Sequence, residues 1–369
     1  MWVNLSKTFY FLFGGNIMKP LVIGNLIAKV PVIQGGMGIG ISRASLASAV
    51  SNAGGIGVLS GINMGYDEEG FSKNPLATNL EALKKHVKKA KELCGEKPLG
   101  INLMVAMNFY EEHVKASIEA GIDLIISGAG LPVKLPKYTE GSDVKIAPIV
   151  SSVKACKLLL KMWDKKYKKT ADMIVVEGPK AGGHLGFHEE ELKDIDAIDY
   201  DGEFAGILEV AKEYGEKYNK EIPVIAAGGI SSSSDVKKYI DMGASGVQVG
   251  TRFVATEECD ADINFKNAYV NCQKEDIEIV KSPVGLPGRA IHNKFLENLK
   301  TSKPKINRCY NCMAACNPAV TPYCISQALI NAVNGDIDDA LVFCGADAYK
   351  IDRIQTVKEV IDELTSEIL

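Results

Sequence analysis

The strongest constraint on the fold is a regular alternation of short apolar runs with longer helical segments. Eight such runs, rich in β-branched residues, occur before residue 255. Each is continuously apolar, which is typical of parallel strands that are covered on both faces. The runs are Pro31–Gln34, Ile56–Ser60, Leu99–Met104, Leu124–Ser127, Ile146–Val150, Met173–Glu177, Val224–Ala227 and Gly246–Val249.

Helix-like segments separate these runs, and several of them end at a glycine. Gly54, Gly121 and Gly243 each follow such a segment directly. Glycine in this place adopts the left-handed conformation that stops a helix before the next strand. Eight repeats of strand and helix predict a (β/α)8 TIM barrel over residues 19–255, with a doubly wound open sheet as the alternative.

The last third of the chain does not continue the alternation. The pattern predicts a helix over Cys259–Glu275, a rigid loop with two prolines over Ser282–Arg289, and mostly helix over Pro318–Leu369. We therefore predict that residues 256–369 form an appended helical, cysteine-rich lobe that covers one end of the barrel.

The first eighteen residues read differently from the rest. The apolar segment Phe9–Phe13 is too short for a signal sequence or a membrane span. The next segment, Gly14–Met18, is what a ribosome-binding sequence and a start codon would encode. We predict that residues 1–18 are a disordered or mis-annotated leader and that translation begins at Met18.

Composition excludes several classes of function. The chain has 369 residues and a net charge of −4, so nothing favours binding to nucleic acid or to a membrane surface. Its nine cysteines are an odd number and follow no secretory signal. This favours a reducing, cytoplasmic compartment in which the thiols are free or bound to metal.

Two glycine-rich turns follow the last two apolar runs. Gly228 and Gly229 follow the seventh run, and Gln248, Gly250 and Thr251 lie at the end of the eighth. Small residues at a strand end allow backbone N–H groups to approach an anion. Consecutive turns of this kind hold the phosphate of a cofactor in many (β/α)8 barrels. The turns therefore predict a cofactor enzyme.

A third glycine-rich segment, Glu177–Gly186, follows the sixth run. His184 is placed there at the carboxyl end of a strand, where barrels of this type carry their active sites. Histidine exchanges protons near neutral pH and, when protonated, holds anions. We therefore predict that His184 is catalytic. Arg289 is a further candidate for contact with an anion, with a surface or interface ion pair as the alternative.

Four cysteines lie close together in the last third of the chain. Cys309, Cys312, Cys316 and Cys324 could ligate Zn²⁺ or an iron–sulfur cluster. Their spacing matches neither the ferredoxin pattern nor the paired pattern of zinc ribbons. A metal site and free thiols therefore both stay open.

Several of these segments together resemble the nitronate monooxygenase (2-nitropropane dioxygenase) family of flavin barrels. The same family includes the flavin-dependent enoyl-acyl-carrier-protein reductase II. The similarity extends over nearly the whole chain from residue 20. The segments that carry it are Pro31–Met37, Gly100–Met104, Ser127–Gly130, Glu177–Gly186, Ala226–Ile230 and Gln248–Phe253.

The resemblance implies non-covalently bound FMN. The backbone of Gly35, Gly36 and Met37 would contact the isoalloxazine ring, and Asn102 would reach its polar edge. The rest of the cofactor would be held by Ala181 and Gly182 along the ribityl chain, and by Gly228, Gly229, Gly250 and Thr251 at the phosphate with Gln248 nearby.

The resemblance also implies two alternative reactions. In nitronate oxidation, His184 would deprotonate a nitroalkane or, as imidazolium, hold the anionic nitronate, and O₂ would reoxidise the flavin. In enoyl-thioester reduction, the partners would be NAD(P)H and an acyl carrier protein, and His184 would polarise or protonate the substrate. A redox sensor without turnover is a third possibility, suggested only by the cysteines, and a homodimer is possible in each case.

Overall fold

The structure, a computed structural model, describes residues 2–5, 8–13 and 16–368, with side chains from Met18 onward. The predicted leader contains a three-stranded antiparallel sheet of β1 (Trp2–Leu5), β2 (Thr8–Phe13) and β3 (Asn16–Met18). The described backbone there is paired into strands, and the interpretation of residues 1–18 as a disordered or mis-annotated leader stays a prediction. Residues 1, 6, 7, 14 and 15 lie outside the described residues, and a start at Met18 stays a prediction.

A short hairpin precedes the barrel. It consists of β4 (Leu21–Ile23) and β5 (Leu26–Ala28), which pair in antiparallel fashion. The buried Leu21, Ile23 and Ala28 share a hydrophobic cluster with side chains of the barrel interior. Gly24, at the hairpin turn, lies against the Lys145 side chain. The hairpin therefore closes the end of the barrel at which the strands begin.

Eight parallel strands form the barrel, and each corresponds to one of the eight predicted runs. Their order in the sheet follows the chain, and a parallel bridge between Ile33 and Ile56 joins the first strand to the second. The sheet is thus nearly closed into a barrel, which confirms the predicted fold over the open sheet. The strands are β6 (Val32–Gln34), β7 (Gly57–Ser60), β8 (Leu99–Met104), β9 (Leu124–Gly128), β10 (Lys145–Val150), β11 (Ile174–Glu177), β13 (Val224–Ala227) and β14 (Gly246–Val249). The short strand β12 (Gly183–His184), which follows β11 in the chain, belongs to another sheet.

Helices surround the barrel and begin at polar capping residues. Ser152 and Ser232 each accept a hydrogen bond from a backbone N–H of the first turn that follows, and Asp235 completes a capping box with Ser232. The helices up to residue 254 are α1 (Ala44–Asn52), α2 (Pro75–Cys94), α3 (Tyr110–Glu119), α4 (Leu135–Tyr138), α5 (Val153–Tyr167), α6 (Tyr200–Tyr218), α7 (Ser233–Asp241) and α8 (Thr251–Val254).

Residues 256–356, which we call the cover, contain more strand and less helix than the sequence pattern predicts. The predicted rigid loop is part of a β-hairpin of β15 (Ile277–Lys281) and β16 (Pro287–Ile291), and β16 pairs with β12. Proline is tolerated at the first residue of a strand, so Pro287 does not prevent this pairing. The helices of the cover are α9 (Ile263–Val270), α10 (Lys294–Thr301) and α11 (Ile325–Val333).

The last helix, α12 (Val357–Thr365), packs with the barrel although the sequence pattern assigns it to the appended lobe. Val357, Val360, Ile361 and Leu364 are buried in the same hydrophobic cluster as side chains of α1 and α7. This helix therefore occupies the place that follows the eighth strand in a (β/α)8 barrel, and the cover is inserted between that strand and its helix. Among the described residues, no helix combines the length and the apolarity that crossing a membrane requires.

Candidate active site

The barrel strands end at a cavity of about 480 Å³, which we call the strand-end cavity. All of the residues predicted for catalysis and cofactor binding contribute to its wall, while their roles stay predictions. They are Gly35, Gly36, Met37, Asn102, Ala181, Gly182, His184, Gly228, Gly229, Gln248, Gly250 and Thr251.

The two glycine-rich turns lie at the same end of neighbouring strands, as predicted. β13 and β14 pair in parallel, so the Gly228 and Gly250 turns open together. Gly228 has φ +89°, and a Cβ atom there would lie 2.9 Å from the carbonyl oxygen of Gly178 and 3.0 Å from the amide nitrogen of Ala181. Only glycine fits this position without displacing backbone. The turns form the type of concave backbone surface that binds anions.

Thr251 connects this surface to the cover. Its hydroxyl oxygen accepts a hydrogen bond from the amide of Gly345 at 3.1 Å. The amide of Ala346 donates to the carbonyl oxygen of Lys180 at 3.1 Å, on the loop that carries Ala181. The cover is therefore fixed to both sides of the predicted phosphate site. The hydroxyl proton of Thr251 is still available to a ligand, because the hydrogen bond from Gly345 uses only its oxygen.

Gln248 places a buried polar atom in the wall, and Gly36 is tightly packed against neighbouring strands of the same wall. The side-chain oxygen of Gln248 is buried and has no hydrogen-bond partner among the described residues. Buried acceptors are normally paired, so this oxygen calls for a donor that the chain does not provide. A Cβ atom on Gly36 would clash with Asn102 and would lie 3.1 Å from the carbonyl oxygen of Leu59.

His184 lies on β12, and two side chains of the cover hold it. Its Nε2 atom is 2.7 Å from the hydroxyl oxygen of Ser282, and its ring meets the ring of Phe343 edge to face at 5.0 Å between centroids. Burial lowers the pKa of His184 to about 4, so the imidazole is neutral near pH 7 in the free protein. Ser282 and Phe343 have no signal in the sequence, because only folding brings them to His184.

Arg289 lies neither beside an anion site nor in a surface ion pair, which were the two predicted alternatives. It is buried, with 4% of its surface exposed, and its guanidinium donates a hydrogen bond to the carbonyl oxygen of Ala181. It does not belong to the lining of the strand-end cavity. Neither of the two predictions for Arg289 is therefore confirmed. Arg289 instead supports the segment from Ala181 to His184, next to the pairing of β12 with β16.

Glu177 is a site residue that the sequence pattern did not single out. It is the last residue of β11 and lines the strand-end cavity, and burial raises the pKa of its carboxyl group to about 7. Among the described residues, no side chain or backbone group forms a hydrogen bond with this carboxyl group. The signal that could have identified it is a single carboxylate at the end of a continuously apolar run.

The alternative of a zinc or iron–sulfur site is not supported. The described residues contain no group of three or more histidines, cysteines or acidic residues that could hold a metal ion. Cys309 is exposed, whereas Cys312, Cys316 and Cys324 are partly buried. Burial raises the pKa of Cys312 to about 11, and it also raises the pKa of Cys316 and Cys324.

A (β/α)8 barrel with a strand-end cavity is found in many classes of enzyme, and comparison with known proteins identifies the class of this one. The sequence model described as nitronate monooxygenase matches residues 19–367. The chain therefore belongs to the nitronate monooxygenase family, and it is a flavin-dependent oxidoreductase.

Two curated relatives illustrate the range of this family. A probable nitronate monooxygenase of Staphylococcus saprophyticus is 26% identical over 304 residues, which cover 75% of this chain and 80% of that protein. The (3aS,4S,5R,7aS)-5-hydroxy-7a-methyl-1-oxo-octahydro-1H-indene-4-carboxyl-CoA dehydrogenase of Rhodococcus jostii is 25% identical, over 74% of this chain and 65% of that protein.

Two solved structures have the same fold. FabK from Thermotoga maritima superposes with a TM-score of 0.70 at 25% identity, over 92% of this chain and 93% of that one. A nitroalkane oxidase from Streptomyces ansochromogenes superposes with a TM-score of 0.69 at 20% identity, over 92% of this chain and 96% of that one. At 20% identity, the similarity to the nitroalkane oxidase shows a common fold alone.

Proposed function

We propose that the protein binds FMN in the strand-end cavity and oxidises small alkyl nitronates with O₂. The observation that carries this proposal is that the paired turns at Gly228 and Gly250 open onto the same cavity as His184. A phosphate site and a titratable side chain at one end of the barrel are what flavin chemistry on a small anion requires. The relative from Staphylococcus saprophyticus, a probable nitronate monooxygenase, supports this substrate class.

The residues present fit FMN. The backbone at Gly228, Gly229 and Gly250 and the hydroxyl group of Thr251 would hold the phosphate. The unpartnered oxygen of Gln248 would accept a hydrogen bond from the isoalloxazine ring, since that ring carries an N–H group. Gly36 and Asn102 both line this cavity, so they would lie beside the ring. When bound, FMN supplies the redox chemistry that no side chain of the protein can supply.

His184 performs the proton chemistry in this proposal. As a neutral imidazole it can accept the proton of a nitroalkane, whereas a bound nitronate anion would favour its protonated form. The same ring therefore serves as a base toward the neutral substrate and as a cation toward the anionic one. Ser282 fixes the orientation of the ring through its 2.7 Å contact with Nε2.

Glu177 lies at the same end of the barrel and can hold a proton near neutral pH. Burial raises its pKa to about 7, so the carboxyl group can carry a proton at near-neutral pH. A neutral carboxyl group beside an anionic substrate avoids the repulsion that a carboxylate would cause. We therefore assign Glu177 to control of the charge in the cavity rather than to the abstraction of a proton.

The proposal is tested by the spectrum and the oxygen consumption of the purified protein. We expect flavin absorption bands, release of FMN on denaturation, and consumption of O₂ with propionate 3-nitronate in the absence of NADH. A colourless protein that does not take up added FMN would refute the whole proposal. A flavin-loaded protein that consumes no O₂ with any nitronate would refute the substrate class alone.

Reduction of an enoyl thioester with NAD(P)H is a second candidate. It is favoured by the match to FabK over nearly the whole of both chains and by the thioester named for the Rhodococcus jostii relative. Steady oxidation of NADH or NADPH by crotonyl thioesters would support it. The absence of such oxidation in a flavin-loaded protein would exclude it.

A further inference from the structure

Lys180 lies across the glycine-rich turn that follows β13. Its side chain contributes to the wall of the strand-end cavity. A Cβ atom on Gly229 would lie 2.7 Å from the Cβ atom and 3.0 Å from the Cδ atom of Lys180. The aliphatic stem of this lysine therefore passes directly over the turn, and a side chain at residue 229 would displace it.

The backbone of Lys180 is fixed, whereas its ammonium group is held only loosely. The carbonyl oxygen accepts a hydrogen bond from the amide of Ala346 at 3.1 Å. The ammonium group faces Oδ1 of Asp196 at 3.9 Å, and the two side chains are 46% and 88% exposed. Exposed ion pairs of this length contribute little to stability. The ammonium group can therefore leave Asp196 for a ligand at small cost.

A carboxylate beside the same turn creates the need for a positive charge. One oxygen of Asp235 accepts hydrogen bonds from the backbone N–H and the hydroxyl groups of both Ser231 and Ser232. N–H groups at the start of a helix are the usual donors to a bound phosphate. Here the start of α7 gives two of them to a carboxylate. An anion at this turn would meet fewer donors and a nearby negative charge.

Arg252 does not provide the missing charge. It is the only other lysine or arginine among the described residues that line the strand-end cavity. Its guanidinium donates hydrogen bonds to the carbonyl oxygen of Ser231 and to the carboxylate of Glu363, and 15% of its side chain is exposed. Its charge is thus already paired within the protein.

Lys350 is likewise paired. Its Nζ atom lies 2.9 Å from Oδ1 of Asp347 and 3.4 Å from the hydroxyl oxygen of Ser231, and it does not line the cavity. Among the described residues of the cavity wall, Lys180 is therefore the cation that a ligand can recruit.

From this arrangement we infer that Lys180 binds the phosphate of FMN, with its ammonium group moving from Asp196 to the phosphate at the Gly229 turn. Lysine suits this role because its ammonium group is a compact charge on a flexible stem. The inference rests on the proposed binding of FMN. It adds a residue that selects the phosphorylated flavin over riboflavin.

The test compares FMN with riboflavin, which has the same ring and ribityl chain but no phosphate. Lys180→Met removes the charge and keeps an aliphatic stem over Gly229. We expect FMN to bind the flavin-free variant roughly tenfold or more weakly by fluorescence titration, with riboflavin affinity unchanged within about twofold. The affinity for FMN should also depend less on ionic strength in the variant than in the wild-type protein.

A second variant and a matched control separate the charge from other causes. Lys180→Glu reverses the charge and should weaken FMN binding more than Lys180→Met does. Lys193→Met removes a lysine of the same loop, which pairs with Glu190 at 2.7 Å and does not line the cavity. The preference for FMN should be unchanged in this control.

Several results would overturn the inference. They are an unchanged affinity for FMN in Lys180→Met, an equal loss for both flavins, a Lys180→Glu variant that binds FMN as well as Lys180→Met does, or the same loss in Lys193→Met. Each leaves the proposed function standing if the wild-type protein binds FMN and consumes O₂ with a nitronate. A wild-type protein that binds neither flavin would overturn both, so the two failures are distinguishable.

Discussion

The barrel and the cover contribute different parts of the strand-end cavity. The barrel contributes the glycine turns at the ends of β6, β13 and β14 together with side chains such as Asn102 and Gln248. The cover contributes side chains, of which Ser282 and Phe343 contact His184. In the proposed function, the glycine turns of the barrel would hold FMN, whereas Ser282 and Phe343 of the cover would position the histidine that meets the substrate.

The largest effect is expected at the barrel wall, in the variant Gly228→Ala. The new Cβ atom would meet the Gly178 and Ala181 backbone, and the positive φ adds strain. We expect affinity for FMN to fall roughly a hundredfold, or about 2.7 kcal/mol, as measured by fluorescence titration.

The matched control for this variant is Gly141→Ala. Gly141 also has a positive φ, of +78°, but a Cβ atom there would have nothing within 4 Å. It should lose some stability and keep its affinity for FMN. Equal affinities in the two variants would contradict the assignment of the cofactor to the backbone of the barrel.

The second effect is expected in His184→Asn, where barrel and cover meet. This variant should keep bound FMN but lose turnover by roughly 10²–10⁴-fold, since the group that exchanges a proton is removed. Turnover per bound flavin is the measurement. His188→Asn, four residues away on an exposed position, is the control and should be unaffected. Unchanged turnover in His184→Asn would remove His184 from the mechanism.

A smaller effect is expected from the cover alone, in Ser282→Ala. The variant removes the hydroxyl group that orients His184 but leaves the glycine turns intact. One lost hydrogen bond of about 1 kcal/mol corresponds to a decrease in turnover of roughly fivefold, with FMN affinity unchanged. Ser302→Ala, on an exposed serine of the cover, serves as the control. A loss of FMN in Ser282→Ala would show that the cover also holds the cofactor.

The dependence of the free energy of unfolding on pH tests whether Glu177 is protonated in the folded protein. The pKa of Glu177 is raised to about 7 in the folded protein, from an ordinary value of 4.5. Between these pH values the folded state keeps a proton that the unfolded state has released, so this group lowers the free energy of unfolding as the pH rises from about 4.5 to about 7. In Glu177→Gln this contribution disappears. Chemical denaturation at pH 5 and at pH 8 gives the free energy of unfolding of each protein. The same change in this free energy between the two pH values in both proteins would contradict the prediction.

The smallest effect is expected at the cysteines of the cover. Cys309 is exposed and the described residues form no metal site, so Cys309→Ser should change neither FMN content nor turnover by more than about twofold. Protein purified without oxygen should contain less than half an equivalent of zinc or iron. A full equivalent of zinc or iron would contradict the assignment of free thiols and would show that the cover binds a metal.

The barrel could be predicted from sequence because its signals are local. Each strand, such as Val224–Ala227, is a continuous apolar run, and the glycines that end the helices lie next to it in the chain. The placement of the Gly228 and Gly250 turns at one end follows from the same signals, since parallel strands bring their carboxyl ends together. Gly35 was assigned to the cofactor through the resemblance to the family, and it lines the same cavity.

The cover could not be predicted in the same way because its structure depends on distant partners. The strand Pro287–Ile291 exists through its pairing with Ile277–Lys281 and with Gly183–His184, which lies about a hundred residues earlier. The spacing of the four cysteines is compatible with a metal site, but spacing does not determine whether folding brings the four thiols together, and the described residues contain no such group. The raised pKa of Glu177 likewise depends on burial that no local pattern reveals.

The position of α12 has a consequence for synthesis of the protein. Because the cover is inserted between β14 and this helix, the ribosome completes the entire cover before it releases the residues that seal the barrel. Until Val357–Thr365 emerge, the apolar surface of α1 and α7 that they bury has no partner. A truncation that spares every residue of the strand-end cavity but removes this helix would thus leave that apolar surface exposed and prone to aggregation.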